Sequence, residues 1–170
     1  MIGRVQMRNE ISPDPAAALA WGHEVHAGQR YGHLPYSVHL DAVADVLREF
    51  GHGDDPVLMS AAYLHDAIED QGVTREQIAE RFGGRVADIV EAVSDPPGAD
   101  RTARKAAAYP RIRELDDAVT VKLADRIANV QAGGPLREMY RREQAAFREN
   151  VRTPGVADDM WAYLDALLER

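Results

Sequence analysis

Tyr63-Leu64-His65-Asp66-Ala67-Ile68-Glu69-Asp70 is the most informative segment of this sequence. Its pattern predicts the C-terminal half of a helix. Residues three and four apart share a helix face, so we expect His65 beside Glu69, and Asp66 beside Glu69 and Asp70. Three carboxylates would then crowd an imidazole at a helix end that already disfavours negative charge. A bound cation relieves this repulsion, so we interpret the segment as part of a metal site. For Glu69 and Asp70 alone, a solvated acidic turn is the alternative.

Length and composition restrict the class of protein. A chain of 170 residues predicts one domain, residues 1–170, that can bury a core. The sequence has no cysteine, so any metal must be held by histidine, carboxylate and water. A net charge of −8 argues against a nucleic-acid partner. No apolar run reaches the roughly 18 residues of a membrane span, and no signal peptide is evident. We therefore expect a cytoplasmic protein without a membrane partner. The composition gives no information about the oligomeric state.

Helical spacing recurs along almost the whole chain, without a convincing strand. Asp55-Pro56 is a typical helix start and predicts a helix that continues to the acidic cluster near residue 70. The segments 31–35 and 95–98 carry glycine and proline and predict loops. The fold class is therefore all-α, a compact bundle of about eight helices. Residues 15–132 carry the motifs, and we expect the apolar stripes of the helices at about 135–169 to be packing faces.

Two further segments carry polar groups suited to the same site. His39 follows a proline turn at a helix start, and Lys122, Asp125, Arg126 and Asn129 share one polar helix face. His39, the His65-Asp66 pair and Asp125 would supply two nitrogens and two oxygens, a set that suits Mn²⁺, Fe²⁺ or Zn²⁺ better than Ca²⁺. Taken singly, His39 could be a cap or surface histidine, and Asp125 could belong to a surface ion pair.

The joint order of these motifs resembles the HD phosphohydrolase superfamily, in particular the hydrolase domain of the RelA/SpoT alarmone enzymes and their stand-alone small homologues. The matching segments are 26–29, 35–39, 61–70, 82–87 and 122–129. The resemblance implies an HD-domain helical bundle with a single divalent ion, usually Mn²⁺. It implies the following site residues: His39, His65, Asp66 and Asp125 as metal ligands, Glu69 and Asp70 acting on the attacking water, and Asn129 contacting the nucleotide.

The resemblance also implies a small-molecule nucleotide substrate, with hydrolysis of (p)ppGpp to GDP or GTP and pyrophosphate. Two departures touch the nucleotide pocket: Tyr31 stands where the family has a lysine, and Ala132 where it usually has a hydroxyl. Arg30, Lys122 and Arg126 could bind substrate phosphates or hold the metal-site carboxylates. Hydrolysis of another nucleotide and a non-catalytic nucleotide-binding module are the alternatives.

Overall fold

Helices account for nearly all the regular structure in the computed structural model, which describes residues 11–170. The predicted all-α class is confirmed, although the described part of the chain has ten helices rather than about eight. The elements are α1 Pro15–Val25, β1 Arg30–Tyr31, β2 Leu34–Pro35, α2 Ser37–Glu49, α3 Pro56–Leu64, α4 Ala67–Gln71, α5 Arg75–Phe82, α6 Gly84–Val93, α7 Arg101–Arg113, α8 Asp116–Ala132, α9 Gly134–Val151 and α10 Asp158–Glu169.

The prediction of one continuous helix from residue 56 to residue 70 is wrong. Helix α3 ends at Leu64, α4 begins at Ala67, and Asp66 between them has φ −102° and ψ 1°. The His65 ring nitrogen Nδ1 lies 2.7 Å from the carbonyl oxygen of Ala62. In an uninterrupted helix that carbonyl would accept the N–H of Asp66, so the ring competes with the backbone at this point. The break between α3 and α4 therefore falls at the His65-Asp66 pair.

Residues 31–35 were predicted to form a loop and instead include a small antiparallel hairpin. Arg30 pairs with Pro35 and Tyr31 with Leu34. Gly32 in the connecting turn has φ +61°, a left-handed conformation that glycine adopts without strain. The hairpin fixes the position of Tyr31 at the edge of the helical bundle.

Helix α8 is the centre of the molecule. It packs against α2, α3, α6, α7, α9 and α10, and every residue from Ala118 to Val130 is buried. The sequence predicted one core face and one polar face, but neither face is open to bulk solvent. Its polar side chains therefore need partners inside the protein, which is the situation expected of a functional site on a rigid element.

The C-terminal helix α10 packs onto this central helix. The apolar side chains of α10 are buried, as predicted, with Trp161 and Leu164 almost completely inaccessible. None of the helices in the described part of the chain has the length and apolar character that crossing a membrane requires.

Helices α1 and α3 approach closely at Gly22. A Cβ atom built on Gly22 would lie 2.4 Å from the carbonyl oxygen of Tyr63. This distance is far below van der Waals contact, so only glycine allows the two helices to pack at this spacing.

We predict that Gly22→Ala destabilises the protein. Because the clash is with a backbone atom, we expect overpacking to cost about 2–3 kcal/mol; alanine gains about 1 kcal/mol of helix propensity, so the free energy of unfolding should fall by about 1–2 kcal/mol. Urea denaturation measures the difference. Gly84→Ala is the matched control, because a Cβ atom at Gly84 meets no other atom within 4 Å. Equal stability of Gly22→Ala and the wild type would contradict this account of the α1–α3 contact.

Candidate active site

The four predicted metal ligands meet in the interior, although they come from three separate parts of the chain. Nε2 of His39, on α2, lies 3.2 Å from Nε2 of His65 and 3.2 Å from Oδ1 of Asp125 on α8. Oδ2 of Asp66 lies 2.9 Å from Nε2 of His65 and 3.8 Å from Nε2 of His39. The ligand atoms of His39, His65 and Asp125 all lie within 4.8 Å of one another.

This donor set fits a divalent metal ion. Bonds of about 2.0–2.2 Å to nitrogen and oxygen place neighbouring donor atoms about 3 Å apart, close to the observed separations. Burial alone would lower the pKa of His65, but Asp66 and Asp125 raise it well above its ordinary value. Burial opposes ionisation of Asp125, yet Lys122 and the two histidines hold its pKa well below the usual range. The two carboxylates therefore make this interior position strongly attractive to a cation.

Hydrogen bonds from outside the donor set orient the ligands. Because His65 Nδ1 donates to the Ala62 carbonyl, the proton that a metal would displace is the one on Nε2, which faces the two carboxylates. Lys122 Nζ lies 2.9 Å from Asp125 Oδ2, and Asn129 Nδ2 donates to Asp125 Oδ1 at 2.7 Å. Of the two roles considered for Lys122, the structure places it against a metal-site carboxylate.

Asn129 has a second partner at the substrate side. Its Oδ1 accepts a hydrogen bond of 2.9 Å from the Tyr31 hydroxyl, and the Tyr31 ring stacks on the His39 ring with centroids 4.9 Å apart. The predicted substrate residues Tyr31 and Asn129 are thus linked to the ligands Asp125 and His39. Tyr31 and Asn129 therefore lie directly beside residues predicted to hold the metal.

A cavity of about 710 Å³ opens beside these ligands. Its walls come from the hairpin region, α4, the loop 94–100, α7, α8 and α9. The charged lining residues apart from the donor set are Glu69, Asp70, Asp95, Arg101, Arg104, Lys105 and Lys122. The lining has four basic side chains and five carboxylates, so its charges suit a polyanionic ligand together with a bound cation.

Glu69 and Asp70 both line this cavity, and each is held by one bond. The Glu69 Oε1 atom accepts the backbone N–H of Asp95 at 2.8 Å, and Asp70 Oδ2 accepts from Gln29 Nε2 at 2.7 Å. Glu69 retains solvent-exposed surface, but the surrounding cavity wall removes part of its hydration and raises its pKa. A carboxyl group shifted toward neutral pH suits proton transfer.

The structure adds cavity residues that the sequence argument did not select. Arg101, Arg104 and Lys105 reach the cavity from α7, where their i, i+3, i+4 spacing marks one face. That spacing is visible in the sequence, and it was the available signal. Tyr36 also lines the cavity, and its hydroxyl donates to Asp66 Oδ2.

The predicted packing face of α9 has a second role. Leu136, Met139 and Tyr140 line the cavity as well as packing against the bundle. These side chains are therefore packing faces, as predicted, and they form part of the cavity wall in addition.

Two of the predicted substrate residues, Arg126 and Arg30, do not line the first cavity. Arg126 is completely buried, with its guanidinium 4.6 Å from the Tyr140 ring centroid and 4.0 Å from that of Phe147. Its nearest carboxylate is that of Glu143 at 3.8 Å, so it binds α8 to α9 rather than lining the cavity. Arg30 donates to the carbonyl oxygen of His33 at 2.7 Å and lines a separate cavity.

That second cavity, of about 780 Å³, adjoins the first at Tyr31, His39 and Leu136. Its lining is largely apolar and includes Ala128, Ala132 and Pro135, together with Arg30 and Gln131 at polar positions. The two cavities differ in character: the first is charged, and the second suits a flat, weakly polar group.

Residues 18–153 match the model of the HD domain family. The chain belongs to this family. A guanosine-3′,5′-bis(diphosphate) 3′-pyrophosphohydrolase of Haemophilus influenzae is 38% identical over 130 residues, which cover 72% of this chain and 19% of that protein. A Vibrio cholerae protein of the same name is 36% identical, with 77% and 19% covered. The chain thus spans about a fifth of the length of these curated relatives.

The fold has a match among solved structures. A metazoan orthologue of SpoT, described as hydrolysing ppGpp, superposes with a TM-score of 0.78 at 23% identity and covers 91% of this chain and 93% of its own. A Listeria monocytogenes protein superposes with a TM-score of 0.59 at 21% identity, covering 78% and 99%. At these identities the likeness concerns the fold.

We predict that Tyr36→Phe weakens metal binding. The variant keeps the ring and removes the hydroxyl that donates to Asp66, and loss of such an outer partner typically costs about 10- to 100-fold in affinity. Calorimetric titration of chelator-treated protein with Mn²⁺ measures the change. Tyr163→Phe is the control, because the Tyr163 hydroxyl bonds Gln131 instead. Wild-type affinity in Tyr36→Phe would show that the bond to Asp66 contributes nothing to the site.

Proposed function

We propose that this protein is a metal-dependent phosphohydrolase that removes the 3′-pyrophosphate of (p)ppGpp, giving GDP or GTP and pyrophosphate. The observation that carries the proposal is the two-histidine, two-aspartate set at one end of a cavity that also holds Glu69 and basic side chains. The relatives named as (p)ppGpp pyrophosphohydrolases support the choice of substrate.

The position of each side chain in the site determines the role that we propose for it. A divalent ion, Mn²⁺ in this proposal, held by His39, His65, Asp66 and Asp125, would supply Lewis acidity and favour ionisation of water. Glu69 accepts the proton of the attacking water, because it lines the cavity beside the proposed ligands and burial raises its pKa, which makes its carboxylate a stronger base. Asp70 lies next to it on the same cavity wall and orients the water.

The rest of the cavity suits the substrate. The α7 side chains Arg101, Arg104 and Lys105 face the space beside the metal ligands and would neutralise the pyrophosphate group. The apolar second cavity would receive the base, with Tyr31 at the junction of the two cavities. A nucleotide that carries phosphates at one end and a base at the other matches this arrangement.

One observation favours a second candidate, the hydrolysis of another nucleotide. Ala128 and Ala132 line the second cavity, and neither side chain can form hydrogen bonds with a base. A non-catalytic nucleotide-binding module is less well supported, because such a module has no need of a carboxyl group with the environment of Glu69.

An assay on a nucleotide panel tests the proposal. Chelator-treated protein is supplied with Mn²⁺ and incubated with ppGpp, pppGpp, GDP, NADPH and nucleoside monophosphates. We expect pyrophosphate release from ppGpp and pppGpp that requires the metal and exceeds phosphate release from the other compounds. Equal rates across the panel would reject alarmone hydrolysis, and full activity without metal would reject the mechanism.

We predict that Glu69→Gln lowers kcat by about 100-fold or more, the usual range for loss of a general acid or base, with nearly unchanged metal content. The substitution keeps the size of the side chain and removes its proton-transfer capacity. Glu80→Gln, an exposed position on α5, is the matched control and should retain activity. Turnover of Glu69→Gln at the wild-type rate would assign proton transfer to another group.

We predict that Tyr31→Ala raises KM for ppGpp about 10-fold and lowers kcat less. Stacking of a base on an aromatic ring contributes about 1–3 kcal/mol and acts similarly in the ground and transition states. Tyr31→Phe keeps the ring and should preserve KM, which separates stacking from the hydroxyl bond to Asn129. Metal content is measured in both variants, because the ring also contacts His39. Unchanged KM in Tyr31→Ala would place the base elsewhere.

A further inference from the structure

A hydrogen-bond chain behind the cavity wall ends at Asp70. His26 Nδ1 lies 2.7 Å from Gln29 Oε1, and Gln29 Nε2 lies 2.7 Å from Asp70 Oδ2. Gln71 Nε2 also donates to Gln29 Oε1. The chain therefore joins the turn after α1 to the short helix α4, which carries Asp70.

Chemistry fixes the direction of each bond. An ionised carboxylate only accepts hydrogen bonds, so the Gln29 atom facing Asp70 must be the amide nitrogen. The amide oxygen then faces His26, which must carry its proton on Nδ1. Burial lowers the pKa of His26, opposed in part by its bond to Gln29, and this keeps the ring neutral with Nδ1 as its one donor. The amide of Gln29 thus cannot rotate by half a turn without losing all its partners.

The His26 ring is itself held in place. It is buried, and it stacks on the Tyr36 ring with centroids 4.9 Å apart and an interplanar angle of 22°. The hydroxyl of Tyr36 donates to the metal ligand Asp66. His26 thus contacts two side chains, one of which holds Asp66 while the other holds Asp70.

We propose that Gln29 is a positioning residue that fixes the plane of the Asp70 carboxylate, and that His26 sets the direction of the Gln29 amide. The proposal rests on the proposed function, in which Asp70 acts on the attacking water. Gln29 contacts no reacting atom; it acts through Asp70. Without it, the Asp70 carboxylate on its five-residue helix keeps no side-chain donor from this chain of bonds.

Two substitutions test the proposal. Gln29→Ala removes the donor to Asp70, and kcat should fall about 10- to 100-fold at every pH, the range typical of a lost outer partner, with KM and metal content near wild type. Gln29→Glu keeps the shape and the acceptor for His26 but sets two carboxyl groups face to face. Such a pair shares a proton as the pH falls, which restores a donor toward Asp70.

The pH profile separates positioning from a merely structural role. The kcat of Gln29→Glu relative to wild type should rise as the pH is lowered from neutral, whereas that of Gln29→Ala should stay low. The titratable groups around this position are His26, Tyr36, Asp66 and His65, and the comparison with wild type at each pH cancels their effects. Gln77→Glu is the matched control: it makes the same change on α5, where glutamate also completes a capping box.

The outcomes distinguish this inference from the proposed function. Wild-type kcat in Gln29→Ala, or parallel pH profiles for Gln29→Glu and Gln29→Ala, would overturn the positioning role while leaving alarmone hydrolysis intact. If the wild-type protein hydrolyses no nucleotide, the proposed function fails. The positioning role of Gln29 is then tested by comparing crystal structures of the wild type and Gln29→Ala. A displaced Asp70 carboxylate in the variant supports the role of Gln29, and an unchanged one overturns it.

Discussion

The buried carboxylate of Asp125 is the constraint on which the site depends. A charge in the middle of a helical bundle costs several kcal/mol unless cations and hydrogen bonds surround it. Lys122, one turn before Asp125 on α8, places its ammonium group 2.9 Å from Oδ2 of Asp125, and Asn129, one turn after it, donates a hydrogen bond of 2.7 Å to Oδ1. His39 approaches Oδ1 from α2. The same requirement explains why α8 is polar on one side although it is buried on every side.

The arrangement of charge separates structural tasks from chemical ones. Arg126 is adjacent to Asp125 in sequence but points between Tyr140 and Phe147, where it joins α8 to α9. Lys122 instead faces the cavity and holds Asp125. Two cations four residues apart on α8 thus serve different purposes: they share one face of the helix, but they lie about one turn apart along its axis and reach different neighbours.

Local spacing predicted the all-helical class and selected four residues that the structure brings together. The segment around Asp125 places its polar groups by the geometry of a single helix, and the predicted helix start at Asp55 was confirmed. The break after Leu64 was not predictable in this way, because it involves a side-chain bond to the Ala62 carbonyl.

Tertiary packing determined the rest of the candidate site. The α7 basic residues are visible as a pattern, but which side of α7 faces the cavity depends on how it packs against α9 and α8. The sequence leaves Arg126 to bind substrate phosphates or the metal-site carboxylates, whereas in the fold its guanidinium lies against two aromatic rings. The roles of Gln29 and Tyr36 depend on contacts between segments that are distant along the chain.

Asp95, in the loop after α6, contacts both Glu69 and Lys105, each through a different part of the residue. Asp95 uses its backbone N–H for Glu69 and its carboxylate for Lys105, which lies 2.8 Å away. Every amino acid except proline carries that N–H, so the bond to Glu69 tolerates a wide choice of side chain at position 95. Pro96 and Pro97 follow immediately, so deletion of one residue before position 95 would put a proline opposite Glu69 and remove the donor. The contact to Glu69 therefore depends on the length of the chain before position 95, whereas the contact to Lys105 depends on the identity of residue 95.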